Sequence, residues 1–181
     1  MRVALFARLG DLDGARVLDL YAGTGALGIE ALSRGAREVV FSEHGRRSLA
    51  VLRANVAALA LAASVRVLPG DSVRSVERLG RQAERFDLVL LDPPYAAGEV
   101  GRALAALVRA GVLAPHAVVV VESGRRHPVP DVEGLAKLDE RRYGDSVITQ
   151  FVAARPDERA GSAATPGGAT DLAAPGGRCS G

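Results

Sequence analysis

Short aliphatic runs alternate with segments of helical periodicity over most of this 181-residue chain. Continuous apolar runs are typical of buried parallel strands, and a hydrophobic residue every third or fourth position indicates a helix with one apolar face. The predicted strands are residues 16–20, 38–42, 64–68, 86–91 and 117–122. Helices are predicted over about 45–61 and 98–110, with Gly111 as the cap of the second. This alternation predicts an α/β fold with a parallel sheet and helices on both faces.

The pattern changes towards the C-terminus. Residues 137–143 and 147–152 flank Gly144-Asp145, which is typical of a β-hairpin, so the sheet is expected to end in an antiparallel pair. From residue 155 to 181 the only large aliphatic residue is Leu172, and Gly, Ala, Pro, Ser and Thr predominate. Such a segment buries too little apolar surface to fold. We therefore predict one domain over residues 1–154 and a disordered tail over 155–181.

Composition argues against several classes of protein. No apolar run nears the length of about 18 residues that a membrane-spanning helix needs, so no membrane partner is expected. Cys179 is the only cysteine, which argues against a disulfide scaffold and favours a reducing, cytoplasmic setting. His44, His116 and His127 lack metal-ligand spacing, so no metal site is expected. A net charge of +2 does not by itself indicate a nucleic-acid partner.

A glycine-rich turn follows the first predicted strand. Gly23, Gly25 and Gly28 match the G-x-G-x-x-G pattern, and Glu43 ends the second strand where a ribose-binding acid is expected. These residues alone favour NAD. Asp19, at the end of the first strand, would repel a pyrophosphate but attract a cationic amine. S-adenosylmethionine (SAM) carries an amine and a sulfonium and no phosphate, so SAM is the predicted cofactor.

Further residues are expected to complete this cofactor site. Glu43 would accept hydrogen bonds from the two ribose hydroxyls. Asp71, after the third strand, would contact the adenine amino group, or cap the following helix, and the two roles are compatible. Tyr21 and Ser72 lie within the same two segments and are included in the predicted site. The alternative for Asp19 is that it only caps the turn.

A second motif, Asp92-Pro93-Pro94-Tyr95, directly follows the strand over 86–91. Two prolines remove two N–H donors and stiffen the loop, which leaves rigid carbonyl acceptors. The carboxylate of Asp92 adds another acceptor, and Tyr95 could stack on a base, which is worth about 1–3 kcal/mol. The motif therefore predicts a loop that holds a planar exocyclic amine against the methyl donor. The alternative is a rigid turn with a buried tyrosine.

Four segments carry a resemblance to a known family: LDGARVLDLYAGTGALGIEALSRGA, VVFSEHGRRSLAVLRAN, FDLVLLDPPY and RRYGDSVITQF. Over about residues 2–152 the chain resembles the RsmD family of bacterial 16S rRNA guanine-N2 methyltransferases. The resemblance implies a Rossmann-like, seven-stranded SAM-methyltransferase sheet, mostly parallel with a C-terminal antiparallel hairpin. It implies methyl transfer from SAM to the N2 of a guanine. It places SAM contacts on Asp19, Gly23, Gly25, Glu43 and Asp71, and the target-base loop on Asp92, Pro93, Pro94 and Tyr95.

The resemblance also implies a partner, which is 16S rRNA within small ribosomal subunits or their assembly intermediates. We expect a monomer without metal. Three basic clusters are candidate RNA contacts or solvated faces: Arg46-Arg47 with Arg53, Arg125-Arg126-His127, and Arg141-Arg142. The resemblance implies a further N-terminal stretch, with residues 1–6 expected to lie inside the helix that follows it. We expect the natural start to lie upstream, with a natural truncation as the alternative.

Three other functions remain open at this point. The D-P-P-Y motif also occurs in adenine-N6 methyltransferases of DNA or RNA. A SAM-type fold could bind RNA without catalysis. An NAD-dependent oxidoreductase would explain the glycines but not Asp19 or the D-P-P-Y motif, and the chain shows no acid–base pair for hydride transfer.

Overall fold

A computed structural model describes residues 2–94 and 98–154, with the side chains of residues 2–4 and 7 outside that description. Tyr95 and the tail over 155–181 therefore lie outside the described residues. The helices are α1 (Arg2–Leu9), α2 (Ala26–Ser33), α3 (Arg46–Ala58), α4 (Ser72–Arg81) and α5 (Glu99–Ala110). The strands are β1 (Arg16–Leu20), β2 (Glu38–Glu43), β3 (Val65–Pro69), β4 (Phe86–Leu91), β5 (Leu113–Gly124), β6 (Leu135–Tyr143) and β7 (Ser146–Ala153).

All seven strands form one sheet in the order β3-β2-β1-β4-β5-β7-β6. Strands β1 to β5 are parallel, and β7 is antiparallel to both β5 and β6. The seven-stranded, mostly parallel sheet with a C-terminal hairpin is therefore confirmed. The chain moves outward from β1 to β3 and then returns to the other side of β1 for β4. Ligands of open α/β sheets bind at such a reversal, beyond the carboxyl ends of the strands.

Two hydrophobic clusters cover the two faces of the sheet. Successive residues of a strand point to opposite faces, so Leu18 packs in one cluster and Val17 in the other. Helices α4 and α5 contribute Leu79 and Leu104 to the first cluster. Helices α1, α2 and α3 pack on the second, where Leu52 of α3 is fully buried. Helices on both faces are thus confirmed.

The predicted strand limits agree with the structure at β1 and β4, and β5 differs most. Its central residues match the run over 117–122, but the strand extends over Leu113–Gly124. A bulge interrupts its pairing with β4, and His116 has a positive φ of 61° there. Pro115 and His116 interrupt the apolar run at this bulge, so the sequence pattern does not show the first part of the strand. Gly111 does cap α5 in a left-handed conformation, as predicted.

Two properties hold for residues 2–94 and 98–154. None of the helices there has the length and apolar character that crossing a membrane requires. In the same part of the chain, no group of three or more His, Cys, Asp or Glu side chains could hold a metal ion.

Candidate active site

Three acidic residues, Asp19, Glu43 and Asp92, lie near one another at the carboxyl edge of the sheet. In the centre, Leu20 of β1 is in register with Ser42 of β2 on one side and Leu91 of β4 on the other. Glu43 and Asp92 each come one residue after these partners. The strand order thus brings the glycine-rich turn, the second-strand acid and the D-P-P-Y motif together, as the sequence predicts.

The glycine-rich turn owes its shape to positive φ angles at Tyr21 (61°), Gly23 (55°) and Gly25 (83°). Glycine adopts such angles without steric cost. A Cβ on Gly25 would lie 2.3 Å from Cδ1 of Leu52, so the absence of a side chain there makes room for α3. A Cβ on Gly23 would meet nothing within 4 Å. Gly23 therefore borders open space, where a ligand can approach the backbone.

The side chain of Asp19 is buried, with 1% of its surface exposed. Its Oδ2 accepts a hydrogen bond of 2.9 Å from the backbone N–H of Gly28 in α2. Burial raises the pKa of Asp19 to about 7; this hydrogen bond opposes the rise, and the negative charges of Asp92 and Glu43 add to it. Asp19 therefore supports the start of α2 and is also a buried acid among other acids, where a cation would be stabilised.

The side chain of Glu43 accepts hydrogen bonds from the two loops that follow β1 and β2. Its Oε2 accepts from the N–H of Gly23 at 2.8 Å, and its Oε1 accepts from the N–H of Gly45 at 2.6 Å. The residue is only 6% exposed, so its position is well defined. Each carboxylate oxygen has a second lone pair, which leaves capacity for a ligand diol. This geometry fits the ribose contact predicted for Glu43.

Asp71 caps α4, because its Oδ1 accepts from the N–H of Arg74 at 2.9 Å. The capping role is therefore confirmed, and the adenine contact stays a prediction. Ser72, the first residue of α4, is buried. A cavity of about 270 Å³ lies beside them, after the end of β3, and Asp71 is among its lining residues. It is also lined by Leu68, Pro69, Gly70, Arg74, Ser75 and Arg78.

The D-P-P-Y motif begins immediately after β4, as predicted. Asp92 and Pro94 are exposed, and Pro93 is buried. Although the side chain of Asp92 reaches solvent, the protein around it desolvates the carboxyl and raises its pKa to about 6, with a further contribution from the charge of Glu122. The carboxylate form therefore predominates at neutral pH and can accept hydrogen bonds from an amine.

Glu99, which the sequence analysis did not single out, contacts the predicted site residue Tyr21. The hydroxyl of Tyr21 donates a hydrogen bond of 2.8 Å to its Oε1, and Arg102 donates to its other oxygen. Burial raises the pKa of the Tyr21 hydroxyl, and the bond to Glu99 adds to the rise. Glu99 begins α5 and so follows the D-P-P-Y loop closely. In the sequence, Glu99 is only an acid in the first turn of a predicted helix. Such acids are common, so this position alone does not indicate a role in the site.

The arrangement suits SAM better than a dinucleotide. A pyrophosphate would need the free N–H groups at the start of α2, yet the Gly28 N–H already donates to the Asp19 carboxylate. The acidic side chains at this edge instead favour a ligand with a positive charge. Glu43 offers acceptors for a ribose, and Gly23 leaves the backbone open. The residues present therefore fit SAM.

Comparisons with known proteins identify the family. The family model described as Conserved hypothetical protein 95 matches residues 1–152. The chain is 30% identical over 146 residues to YlbH of Bacillus subtilis, a match that covers 80% of this chain and 79% of that protein. It is 31% identical over 127 residues to the ribosomal RNA small subunit methyltransferase D of Haemophilus influenzae, covering 70% of this chain and 66% of that protein.

A solved structure agrees with these matches. A conserved hypothetical protein from Streptococcus pyogenes has a TM-score of 0.78 and 34% identity, covering 85% of this chain and 96% of that one. The fold, the sequence matches and the residues at the carboxyl edge of the sheet point the same way. The chain belongs to the Conserved hypothetical protein 95 family, the family of the ribosomal RNA small subunit methyltransferases D.

Proposed function

We propose that this protein is a SAM-dependent rRNA methyltransferase that modifies the exocyclic N2 of a guanine in 16S rRNA. One observation carries the proposal: the Asp92-Pro93 acceptors directly follow β4, which pairs with β1, the strand that leads into the glycine-rich turn. The rRNA substrate is supported by the name of the Haemophilus influenzae relative. The choice of guanine N2 rests on the family resemblance of the sequence motifs.

The cofactor pocket is formed by the turn and the two neighbouring strand ends. Asp19 would bind the amine, and Glu43 would bind the ribose hydroxyls. Asp71 and Ser72 would contact the adenine. Gly23 and Gly25 shape the turn, and the hydrogen bond from Tyr21 to Glu99 stabilises it. When bound, SAM supplies a methyl group on a positively charged sulfonium. The acidic residues of this edge would bring negative charge close to that cation.

The target amine would be held by the D-P-P-Y loop. The two N–H groups of the guanine NH₂ can donate to the carboxylate of Asp92 and the carbonyl of Pro93, which aims the nitrogen at the cofactor. The lone pair of this nitrogen is delocalised into the ring, so fixed position and polarisation are the contributions that the chain can make. The exposed carboxylate of Asp92 gives the released proton a route to water. Tyr95 is proposed to stack on the base.

The setting of the reaction follows from the proposed substrate. We expect a monomer acting in the cytoplasm on small ribosomal subunits or assembly intermediates. A domain over residues 1–154 would carry the activity, and the segment 155–181 would be a tail without a catalytic part.

Methyl-label transfer tests the proposal. Small subunits from a strain that lacks this gene are incubated with labelled SAM and the protein, and the nucleosides are then analysed. Label in N2-methylguanosine of 16S rRNA is the expected result. Label in N6-methyladenosine would overturn the guanine assignment. SAM binding and RNA binding without any label would favour the non-catalytic alternative.

A matched pair of variants tests the role of Asp92. Asp92→Ala should lower the methylation rate about 10²-fold or more, as expected for the loss of one oriented polar group. Asp131→Ala removes a carboxylate that is 94% exposed and lies outside the site, and it should keep the wild-type rate. Near-full activity of Asp92→Ala would contradict its proposed role.

A further inference from the structure

We propose that the cavity beyond the end of β5 binds the phosphodiester backbone of the RNA substrate beside the target base, through Arg125 and Arg126. This inference rests on the proposed function and specifies how the same site holds its substrate. The cavity measures about 620 Å³ and is lined by Gly124, Arg125, Arg126, His127 and Asp145. It lies between the loop after β5 and the turn that joins β6 to β7.

Backbone hydrogen bonds hold this loop in place. The N–H of Arg125 donates to the carbonyl of Asp145 at 2.9 Å, which fastens the loop to the hairpin turn. The N–H of His127 donates to the carbonyl of Gly124 at 2.8 Å and closes a tight turn. The two arginines thus extend from a backbone that is fixed before any ligand arrives, which lowers the ordering cost of binding.

The cavity flanks the proposed target-base loop on the side away from the cofactor turn. Leu91 of β4 is in register with Val121 of β5, so Asp92 lies opposite Glu122, two residues before Gly124. With usual strand spacing and rise, the Cα atoms of Asp92 and Gly124 are about 8 Å apart. Because β1 borders β4 on its other side, a base held at Asp92 would have the cofactor on one side and the cavity on the other.

Charge distinguishes this cavity from the acidic edge beside it. Arg125 and Arg126 are exposed, and within residues 2–94 and 98–154 no carboxylate forms an ion pair with either guanidinium. In contrast, Arg16 and Arg66 are both paired with Glu84. Guanidinium groups bind phosphate oxygens in a bidentate manner and stack on bases.

Asp145 lies in the same lining and opposes an anion. The two arginines exceed its single negative charge, so the balance of the cavity remains positive. Removing the charge of Asp145 should therefore strengthen RNA binding, whereas removing an arginine should weaken it.

Paired double variants test the proposal. Arg125→Ala/Arg126→Ala removes the two proposed contacts, and Arg37→Ala/Arg81→Ala removes the same charge from the opposite edge of the sheet. Arg37 precedes β2 and Arg81 ends α4, and both are exposed. KM for small subunits, kcat and the Kd for SAM are measured for each, with the salt dependence of RNA binding. Asp145→Asn is assayed alongside.

The expected result is a KM about 10-fold or more higher for Arg125→Ala/Arg126→Ala, as for the loss of two phosphate contacts, with kcat and the Kd for SAM unchanged. The slope of log affinity against log salt should fall in magnitude by about 1.4, since each contact to single-stranded RNA contributes about 0.7. Asp145→Asn should lower KM. The control pair should keep the wild-type KM and slope, and inorganic phosphate at matched ionic strength should compete only weakly.

Three results would overturn the proposal: an unchanged KM, an equal effect of both arginine pairs, or a loss of SAM binding in Arg125→Ala/Arg126→Ala. Failure of the proposed function is distinguishable from these. In that case the wild-type protein transfers no methyl group, while direct RNA binding still depends on the two arginines.

Discussion

Lowering the pH from 7 to 5.5 should weaken SAM binding, because the buried Asp19 carboxyl must lose its proton to hold a cation. Burial, opposed by the Gly28 hydrogen bond and reinforced by Asp92 and Glu43, raises the pKa of Asp19 to about 7. The protonated acid therefore predominates at pH 5.5. A positive amine beside the carboxylate favours the charged form and lowers the pKa again. Binding should therefore release a proton.

The magnitude follows from the pKa. At pH 5.5 a group with a pKa of about 7 is roughly 97% protonated, so nearly one proton is released if the bound pKa falls to its ordinary range. The Kd at pH 5.5 should then be about 15-fold higher than at pH 7, which is about 1.6 kcal/mol. The amine of SAM stays protonated over this range, because an α-amino group has a pKa of about 7.7–8.0.

The same shift has a consequence for stability without ligand. The pKa of Asp19 is higher in the folded protein than the ordinary value of 3.8, so the folded state binds more protons between these values. Its contribution to the free energy of unfolding is therefore fully present below pH 3.8 and is lost as the pH rises through about 7. In Asp19→Asn, the free energy of unfolding should no longer fall for this reason as the pH rises through about 7.

Calorimetric titration in two buffers of different ionisation enthalpy measures both the Kd and the proton count. Asp19→Asn keeps an oxygen that can accept from Gly28, but it should abolish most of the proton release. Asp92 has a pKa of about 6 and titrates in the same range, so Asp92→Asn is the control and should retain most of the release. A Kd and proton balance in the wild-type protein that do not change between pH 7 and 5.5 would refute the cation contact and leave Asp19 only its bond to α2.

Three further predictions concern the rest of the site. Tyr21→Phe removes the hydrogen bond to Glu99 and should lower the free energy of unfolding by about 1 kcal/mol in urea titrations, whereas an unchanged midpoint would contradict a bracing role. Gly28→Ala would place a Cβ 2.4 Å from Cε1 of Phe41 and should cost about 1–3 kcal/mol by thermal unfolding; wild-type stability would show that the ring can move aside. At saturating SAM, the methylation rate should fall as the pH drops through about 6 and Asp92 is protonated; a flat profile from pH 5 to 8 would show that the rate does not depend on this carboxylate.

Much of the fold could be predicted because its determinants are local. Strands β1 and β4 are short apolar runs, and their limits agree with the structure because both faces of a central parallel strand are buried. The hairpin before β7 follows from Gly144-Asp145, where Gly144 has a φ of 62°. The D-P-P-Y motif follows β4 because prolines cannot continue a central strand. The beginning of β5 was not predictable, since its bulge removes the apolar periodicity.

The sequence by itself determined which chemical groups this protein has and at which strand ends they lie, since Gly, Pro and apolar periodicity act within a few residues. Only the tertiary structure decided how those groups interact. Three of these interactions depend on residues far apart in the chain. They are the burial that raises the pKa of Asp19, the close packing of Gly25 against Leu52, and the hydrogen bond from Tyr21 to Glu99. These interactions depend on strand order and helix packing, because burial and hydrogen bonding are properties of neighbours in space.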